Sequence, residues 1–291
     1  MAITLGTNIT SYVARVNLNT TTDRLSHSME RLSTGAKINS AGDDAAGLVI
    51  SENMKAYIRS SKQAMANIQT SRAYLTVAED GMVSIGDHLQ RINDLLTNMA
   101  NDTNDSDARM ASLREIVERL KEIDRLAETT NFNGRKMLDG KTDEIVVQMG
   151  PDWTSDSTLE ISSALSDCHT SALGLGVSLI PKLDPSDENF DETKITGDDC
   201  REYMKIVQEA INKLSTQRGL LGAYENRMDS SYDSMATRIE CLETGKSIYT
   251  DTDVAEEASN MIQRQILQQL NTSVLVNANS MQQIALNLLA G

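Results

Sequence analysis

The sequence predicts a mainly α-helical protein, with long antiparallel helical rods that pair as a coiled coil and a small β-hairpin region in the middle of the chain. Uncharged residues recur at alternating steps of three and four over residues 47–99, and a mostly apolar seam repeats over 204–242. Only three prolines occur, all between positions 151 and 185, so both flanks lack helix breakers. Aromatic residues make up 3% of the chain, which suits helical bundles better than an ordinary globular core.

The two ends of the chain are predicted to be helices that are stable only when they pack against each other. Residues 1–38 form a weak amphipathic pattern rich in Thr and Asn, which are poor helix formers, so this helix requires a partner. Residues 254–291 are the obvious candidate, because their apolar residues recur at helical spacing and no charged residue follows Arg264. Amides and hydroxyls without charges are typical of a helix surrounded by protein. This tail is too polar to span a bilayer.

The first rod begins after Ser40-Ala41-Gly42-Asp43, which has the form of a capping box. The seam over residues 47–99 then predicts one helix of roughly 85 Å. A polar turn at 101–107 leads to a second, antiparallel helix because the connection is short. Its seam consists of Leu113, Ile116, Leu120, Ile123 and Ala127. Gly134 is predicted to be a left-handed turn residue after that helix.

The middle of the chain, residues 140–198, changes character. Glu144–Met149 and Thr158–Ile161 predict two short strands of a hairpin, followed by an acidic loop over 174–199. A third rod begins near Asp198. Arg218 and Glu225 interrupt its seam and either form interhelix pairs or point past it. Residues 243–252 break the pattern before the tail helix begins at Asp253.

The charge follows the same division. The net charge is −15, yet residues 1–41 carry a net +2 and residues 253–291 a net −2, so the stretch between them holds all of it. Neutral ends and an acidic middle indicate a buried part and a solvated part. The predicted domains are residues 1–41 plus 252–291 as a terminal coiled-coil domain, and residues 42–251 as a helical bundle with the β-hairpin region at about 140–198.

Composition also excludes several function classes. An acidic chain is not expected to bind nucleic acid or an anionic membrane. Residues 1–18 lack the basic start and apolar run of a cleaved signal peptide. The three cysteines, Cys168, Cys200 and Cys241, do not have the spacing of a metal-binding motif. A disulfide between Cys168 and Cys200 is less favoured than free thiols. No catalytic or phosphate-binding motif occurs, so we expect no enzyme, no cofactor and no metal site.

Several motifs in a fixed order match a known family. They are Glu30–Gly35, Ile38–Gly47, Leu89–Ile92, Arg119–Arg125, Asn131–Gly134, Gln217-Arg218, Asn226-Arg227 and Thr252–Ala255. On these residues the chain resembles a bacterial flagellin over nearly its full length. The resemblance implies ends that form the coiled-coil core of a helical filament and an outer bundle with a β-hairpin. Because the middle segment is short, it also implies a minimal form that lacks further outer domains.

The resemblance implies a structural subunit that polymerises with many copies of itself into the extracellular flagellar filament for motility. It implies export through the flagellar channel without a cleaved signal, a chaperone on the C-terminal helix, and contacts with the filament cap and hook-junction proteins. The residues expected to be buried in the filament core are Val16, Leu25, Met29, Leu32, Ile262, Ile266, Leu270, Val274, Met281, Ile284 and Leu288. Their burial would supply the free energy of assembly.

A second interaction follows from the same resemblance. An animal Toll-like receptor senses many flagellins, and the family's contact positions match Gln90, Arg91, Leu95 and Glu115 here. The chain departs from well-sensed relatives at Asn93-Asp94, where those carry Arg-Glu.

Two other functions explain part of the sequence. A hook–filament junction protein shares flagellin-like ends, but the second-half motif and the small middle favour flagellin. An intracellular coiled-coil interaction protein would explain the rods but not the charge-free tail. Arg31, Asp43 and Asp44 either make contacts between subunits or form a plain turn and helix cap.

Overall fold

The structure, a computed structural model, describes residues 8–141, 144–175 and 196–290, with side chains as far as Ile284. The order of elements confirms the mainly α fold class. The helices are α1 (Ile9–Thr34), α2 (Ala45–Met99), α3 (Ser106–Thr129), α4 (Thr170–Leu173), α5 (Gly197–Thr250) and α6 (Val254–Ala290). The strands are β1 (Asn131–Phe132), β2 (Arg135–Lys136), β3 (Val146–Gln148) and β4 (Thr158–Glu160). Most of the acidic loop predicted over 174–199 lies outside the described residues.

Contacts within the chain divide it into two compact units. One comprises Met1–Ile58 with Glu240–Gly291, and the other comprises Arg59–Ile239. The first part of α2 and the last part of α5 therefore group with the chain ends. The domain boundaries at 41/42 and 251/252 stay predictions.

The terminal unit pairs α1 with α6, and side chains or glycine define the helix ends. Asn8 caps α1 by accepting a hydrogen bond from the Ser11 amide, and Gly35 ends it at φ +71°. The Asp253 carboxylate accepts from the amides of residues 255 and 256 at the start of α6. The Lys37 amide donates to the Thr250 carbonyl, and the Thr252 amide donates to the Gly35 carbonyl. These bonds join the segment after α1 to the segment between α5 and α6.

The start of α2 differs from the predicted capping box. Asp43 accepts hydrogen bonds from the amides of Asn39 and Ser40, which closes a turn outside the helix. Asp44 is the residue that caps α2, because its Oδ1 accepts from the Gly47 amide at 2.9 Å. A Cβ at position 47 would lie 2.5 Å from Asp44 Oδ2 and 2.8 Å from Ile38 Cδ1, so any larger residue there must displace the capping side chain.

The second unit packs α2, α3, α5 and the hairpins around one apolar core. Its largest fully buried side chains are Ile68, Leu75, Met82, Ile85, Leu89, Ile92, Leu96, Met99, Ile116, Ile123, Met137 and Leu138. Most of these lie on the predicted seams. The early part of the first seam, in the terminal unit, is less covered, since Ile50 is exposed.

The third rod departs from its prediction at one point and confirms one of two predicted alternatives at another. Helix α5 continues to Thr250, through the predicted break at 243–252. Arg218 leaves the seam and pairs with Glu79 of α2, at 3.4 Å between Nη2 and Oε1. Glu225 is half-buried, and burial together with the nearby Glu79 carboxylate raises the pKa of Glu225.

Two small antiparallel hairpins complete this unit. The predicted hairpin is confirmed as β3 and β4, with buried Val147 opposite buried Leu159. The second hairpin, β1–β2, turns at Asn133 and Gly134 with φ of +52° and +81°. The left-handed conformation predicted for Gly134 is therefore confirmed, whereas its two flanking strands were not predicted.

Candidate assembly surface of the terminal helices

The contact between α1 and α6 is a seam of two antiparallel helices on alternating steps of three and four. On α1 the buried and half-buried positions that follow this stepping are Ser11, Ala14, Leu18, Thr21, Leu25, Ser28 and Leu32, and Thr22 and Arg31 are half-buried beside them. On α6 the positions that follow it are Glu257, Met261, Arg264, Gln268, Asn271, Leu275, Ala278 and Gln282, and Ala258 and Asn260 are half-buried beside them. More than half of the α6 positions are polar. The chain therefore pairs its own ends largely through side chains that hydrogen-bond.

Hydrogen bonds run along this seam. The Gln268 amide donates to Thr22 Oγ1 at 3.1 Å, and the Asn271 amide donates to Thr21 Oγ1 at 3.0 Å. Nearer the N-terminus the Asn8 amide donates to the Ala278 carbonyl at 2.9 Å. Two of the uncharged amides of the tail, Gln268 and Asn271, thus have partners within the protomer.

The apolar residues of α6 predicted for assembly lie on the other side of the helix. We call Ile262, Ile266, Leu270, Val274, Met281 and Ile284 the outer stripe. Each of these side chains is between 49% and 64% exposed. At 100° per residue Ile262, Ile266, Leu270 and Ile284 point away from the seam with α1, and Val274 and Met281 flank it. Nothing in the described chain covers it, and contiguous exposed apolar surface of this kind marks an interaction site.

The predicted assembly residues of α1 divide between the two surfaces. Val16 and Met29 are about half exposed, as are Ile9, Tyr12 and Val13. Leu25 is buried and Leu32 half-buried, so these two belong to the seam inside the protomer. Leu288 lies in α6 but beyond the described side chains. Whether these residues are buried in a filament stays a prediction.

Of the proposed receptor residues, Arg91 of α2 and Glu115 of α3 are in contact with each other. Arg91 Nε donates to Glu115 Oε1 at 3.1 Å, and Arg119 Nη2 reaches the same oxygen at 2.9 Å. These two hydrogen bonds lower the pKa of Glu115. Gln90 is exposed, whereas Leu95 is buried and packs into the core.

The three cysteines lie apart from any cluster of metal-ligating side chains among the described residues. All three cysteines are free thiols, with Cys168 and Cys200 buried and Cys241 exposed. Within residues 8–141, 144–175 and 196–290 no three metal-ligating side chains converge. None of the helices in that part of the chain has the length and hydropathy to span a bilayer.

Comparison with known proteins gives the family. Residues 5–143 match the model of the bacterial flagellin N-terminal helical region, and residues 204–289 match that of the C-terminal helical region. A flagellin of Bacillus subtilis is 34% identical, over 90% of this chain and 91% of that protein. The chain belongs to the bacterial flagellin family. This flagellin is also 33% identical to a flagellar filament 33 kDa core protein of Treponema phagedenis, over 97% of this chain and 98% of that protein.

A solved structure supports the fold alone. A protein from Vibrio parahaemolyticus, described as a flagellar hook-associated protein, superposes with a TM-score of 0.57 over 72% of this flagellin and 99% of that chain. Its sequence is only 13% identical, so the likeness carries no functional argument.

Family membership confirms the predicted function. This flagellin is a structural subunit of the bacterial flagellar filament, and its relatives are structural proteins of the extracellular filament rather than enzymes. The hook-junction and intracellular alternatives are not favoured. Sequence reasoning missed the polar seam of α6. The sequence contains this seam as a second series at steps of three and four, which includes Gln268, Asn271 and Leu275. A search for apolar periodicity overlooks the series because most of its residues are polar.

Proposed function

We propose that this flagellin polymerises by burying the outer stripe of α6, with the exposed apolar residues of α1, between neighbouring subunits. The observation that carries the proposal is the exposure of the outer stripe: its six apolar side chains are about half exposed, and four of them lie on the side of α6 away from α1. No charged residue follows Arg264, so the last turns of α6 can enter a protein environment without burying a charge.

The free energy available from burying the outer stripe is large enough to support assembly. Full burial of an Ile, Leu, Val or Met side chain contributes roughly 1.5–3 kcal/mol, so a half-exposed one has about 1 kcal/mol left to gain. Six such residues would contribute on the order of 6 kcal/mol per subunit, before the cost of ordering the interface. Repeated contacts between identical subunits could use this free energy to extend a filament.

Seeded growth tests the proposal. Filament fragments are mixed with monomer of the full chain, of a chain lacking residues 254–291, or of the double variant Ile266→Gln/Leu270→Gln. We expect the full chain to elongate the seeds and the truncated chain to fail while keeping much of its helical circular dichroism. The double variant should need at least about tenfold more monomer, because two apolar contacts of about 1 kcal/mol are lost.

The matched control is Leu220→Gln, which makes the same kind of change at an exposed apolar residue of α5. It should elongate seeds at the wild-type monomer concentration. Growth is followed by light scattering and checked by negative-stain electron microscopy. Equal growth of the double variant and the control would remove the outer stripe from the mechanism.

Partners outside the filament follow as further proposals. An exposed apolar stripe at the C-terminal helix needs cover before assembly, which supports an export chaperone bound there. Export through the flagellar channel without a cleaved signal, and contacts with the filament cap and hook-junction proteins, rest on the family alone. For the Toll-like receptor, exposed Gln90 and the exposed Arg91–Glu115 pair support a contact surface. Leu95 is buried in the core and would support this surface by packing beneath it, without touching the receptor.

A further inference from the structure

The turn between β1 and β2 contains the one Asn-Gly pair of the sequence, Asn133-Gly134. Both residues are exposed, and both have left-handed backbone angles, with φ of +52° and +81°. The fold accounts for the pair, since Asn-Gly is the preferred sequence of a two-residue hairpin turn. The pair also has a chemical property that the fold does not need. Asparagine is a thermolabile residue, and it reacts fastest when glycine follows it.

The reaction takes place between an asparagine and its own backbone. The amide nitrogen of the next residue, in its deprotonated form, attacks the side-chain carbon Cγ. A C–N bond forms and ammonia leaves, which closes a five-membered succinimide ring. Water then opens the ring, at Cγ to give aspartate or at the backbone carbonyl to give isoaspartate, in which the chain continues through the side chain. The net reaction adds water and releases ammonia, without oxidation or reduction.

The Asn133 carboxamide and the Gly134 amide are both free to react. Within residues 8–141, 144–175 and 196–290 neither group hydrogen-bonds another protein group. A Cβ at Gly134 would meet no heavy atom within 4 Å, so no neighbouring side chain covers this side of the turn. In the described part of the chain, only the conformation of the turn restrains the two reacting groups.

The turn has to open before the ring can close. Attack on Cγ requires rotation about the bond between the Cα and the carbonyl carbon of Asn133, which takes the residue out of the left-handed turn. Only two residue pairs join β1 to β2. A two-stranded hairpin is marginally stable by itself, and exposed segments open more often than the core. The turn can open while β1 stays anchored through Phe132, whose ring packs edge-on against Tyr74 at 5.5 Å between centroids.

Other asparagines of the described chain are better protected. The Asn131 carboxamide donates to the Thr129 carbonyl at 2.8 Å, and a bulky aromatic residue follows it. Asn39 precedes the small residue Ser40, but the Ser40 amide donates to Asp43 Oδ2 at 2.9 Å. Most of the remaining asparagines lie inside helices, where backbone hydrogen bonds hold the next amide.

We propose that Asn133 is a site of spontaneous deamidation in this flagellin, and that the isoaspartate it yields loosens the β1–β2 hairpin of aged subunits. The aspartate product preserves the fold, because Asp-Gly also fits this kind of turn. Isoaspartate adds one carbon atom to the backbone of a two-residue turn, so the closing pair Phe132–Arg135 loses its register. The proposal does not rest on the proposed assembly mechanism.

Ageing of the purified full chain tests the site. The folded chain is incubated in mildly alkaline buffer at physiological temperature and then digested briefly with trypsin at slightly acidic pH, which slows further deamidation. Cleavage after Arg125 and Arg135 releases residues 126–135, which carry Asn133 together with the internal control Asn131. We expect a gain of one mass unit at Asn133, divided by liquid chromatography into aspartate and isoaspartate forms. Asn131 should keep its mass.

A chain unfolded in guanidinium chloride sets the upper limit of the rate, because its turn is always open. The folded chain should react more slowly than this limit but still measurably. If the folded chain keeps the Asn133 amide after the unfolded chain has converted, the native turn is locked and the proposal is overturned. Mass gain at Asn131 before Asn133 would also overturn it.

A second digestion tests the loosening of the hairpin. Trypsin is added for a short time to the intact folded chain, and cleavage of the exposed bond after Arg135 is followed by mass spectrometry. The aged chain should be cut there faster than the fresh chain. The matched control is fresh Asn133→Asp, which carries the new charge without the extra backbone carbon and should be cut at the fresh rate. Equal cleavage of aged and fresh chains would overturn the loosening.

Discussion

At the scale of single residues, burial separates three cysteines of identical chemistry. Cys168 is 1% exposed, and burial raises the pKa of its thiol to about 11. Burial also raises the pKa of the Cys200 thiol. Cys241 lies exposed on α5. Because the thiolate is the reactive form, the two buried thiols are protected both by access and by protonation.

This difference predicts selective alkylation of the folded chain. At pH 8 a thiol of pKa about 11 is roughly one part in a thousand ionised. We expect N-ethylmaleimide to add once, at Cys241, within minutes, and at all three positions only after unfolding in guanidinium chloride. Intact-mass spectrometry counts the adducts, and Cys241→Ser should abolish the rapid one. Any rapid adduct on the native Cys241→Ser chain would contradict the burial of Cys168 and Cys200.

At the scale of elements, two glycines within helices differ in how closely other atoms pack against them. A Cβ at Gly81 would lie 2.9 Å from both Thr130 Cγ2 and Thr130 Oγ1 and 3.0 Å from Leu138 Cδ1. The helix therefore approaches the segment after α3 more closely than an alanine would allow. Gly219 of α5 has no heavy atom within 4 Å of the equivalent position.

The two glycines give a matched pair of substitutions with opposite signs. Gly219→Ala should raise the free energy of unfolding by about 0.5–1 kcal/mol, because alanine is the better helix former. Gly81→Ala gains the same propensity but forces the contact apart, so we expect a net loss of about 1–2 kcal/mol. Urea denaturation of the monomer, followed by circular dichroism, measures both. Stabilisation by Gly81→Ala would show that the contact relaxes freely.

At the scale of the whole molecule, charge and assembly oppose each other. Each subunit carries a net charge of −15, and this charge belongs to the stretch between its neutral ends. A net charge of this size keeps free chains soluble but repels neighbours in a filament. Assembly must therefore overcome electrostatic repulsion with the free energy of apolar burial.

This balance predicts faster seeded elongation as NaCl rises from about 20 to 200 mM, because the Debye length shortens from roughly 20 to 7 Å. A variant with three exposed carboxylates neutralised, Glu118→Gln/Glu202→Gln/Asp233→Asn, should show a weaker salt dependence. The initial rate of light scattering on fixed seeds gives both dependences. Elongation that slows with salt in the wild-type chain would mean that attraction between charges drives assembly.

The sequence by itself determined the helices, the central hairpin, the neutral ends and the family. Helical seams and turn residues are local signals, and the motifs of residues 30–47 and 119–134 needed no structure. Its errors were local too. Asp44, not Ser40, caps α2, because Asp43 is already used by the preceding turn. Helix α5 runs through residues 243–252, because tertiary context overrides a broken seam.

Only the tertiary structure decided which side of α6 faces α1. Apolar periodicity identifies a face that avoids water, but it does not say whether that face packs within the chain or against another copy. The hydroxyls of Thr21 and Thr22 on α1 accept hydrogen bonds from α6 amides, so the polar face turns inward. Ile262, Ile266 and Leu270 are then left on the outside. Burial depends on what lies opposite a side chain, and for two helices distant in sequence that is set only when the chain folds.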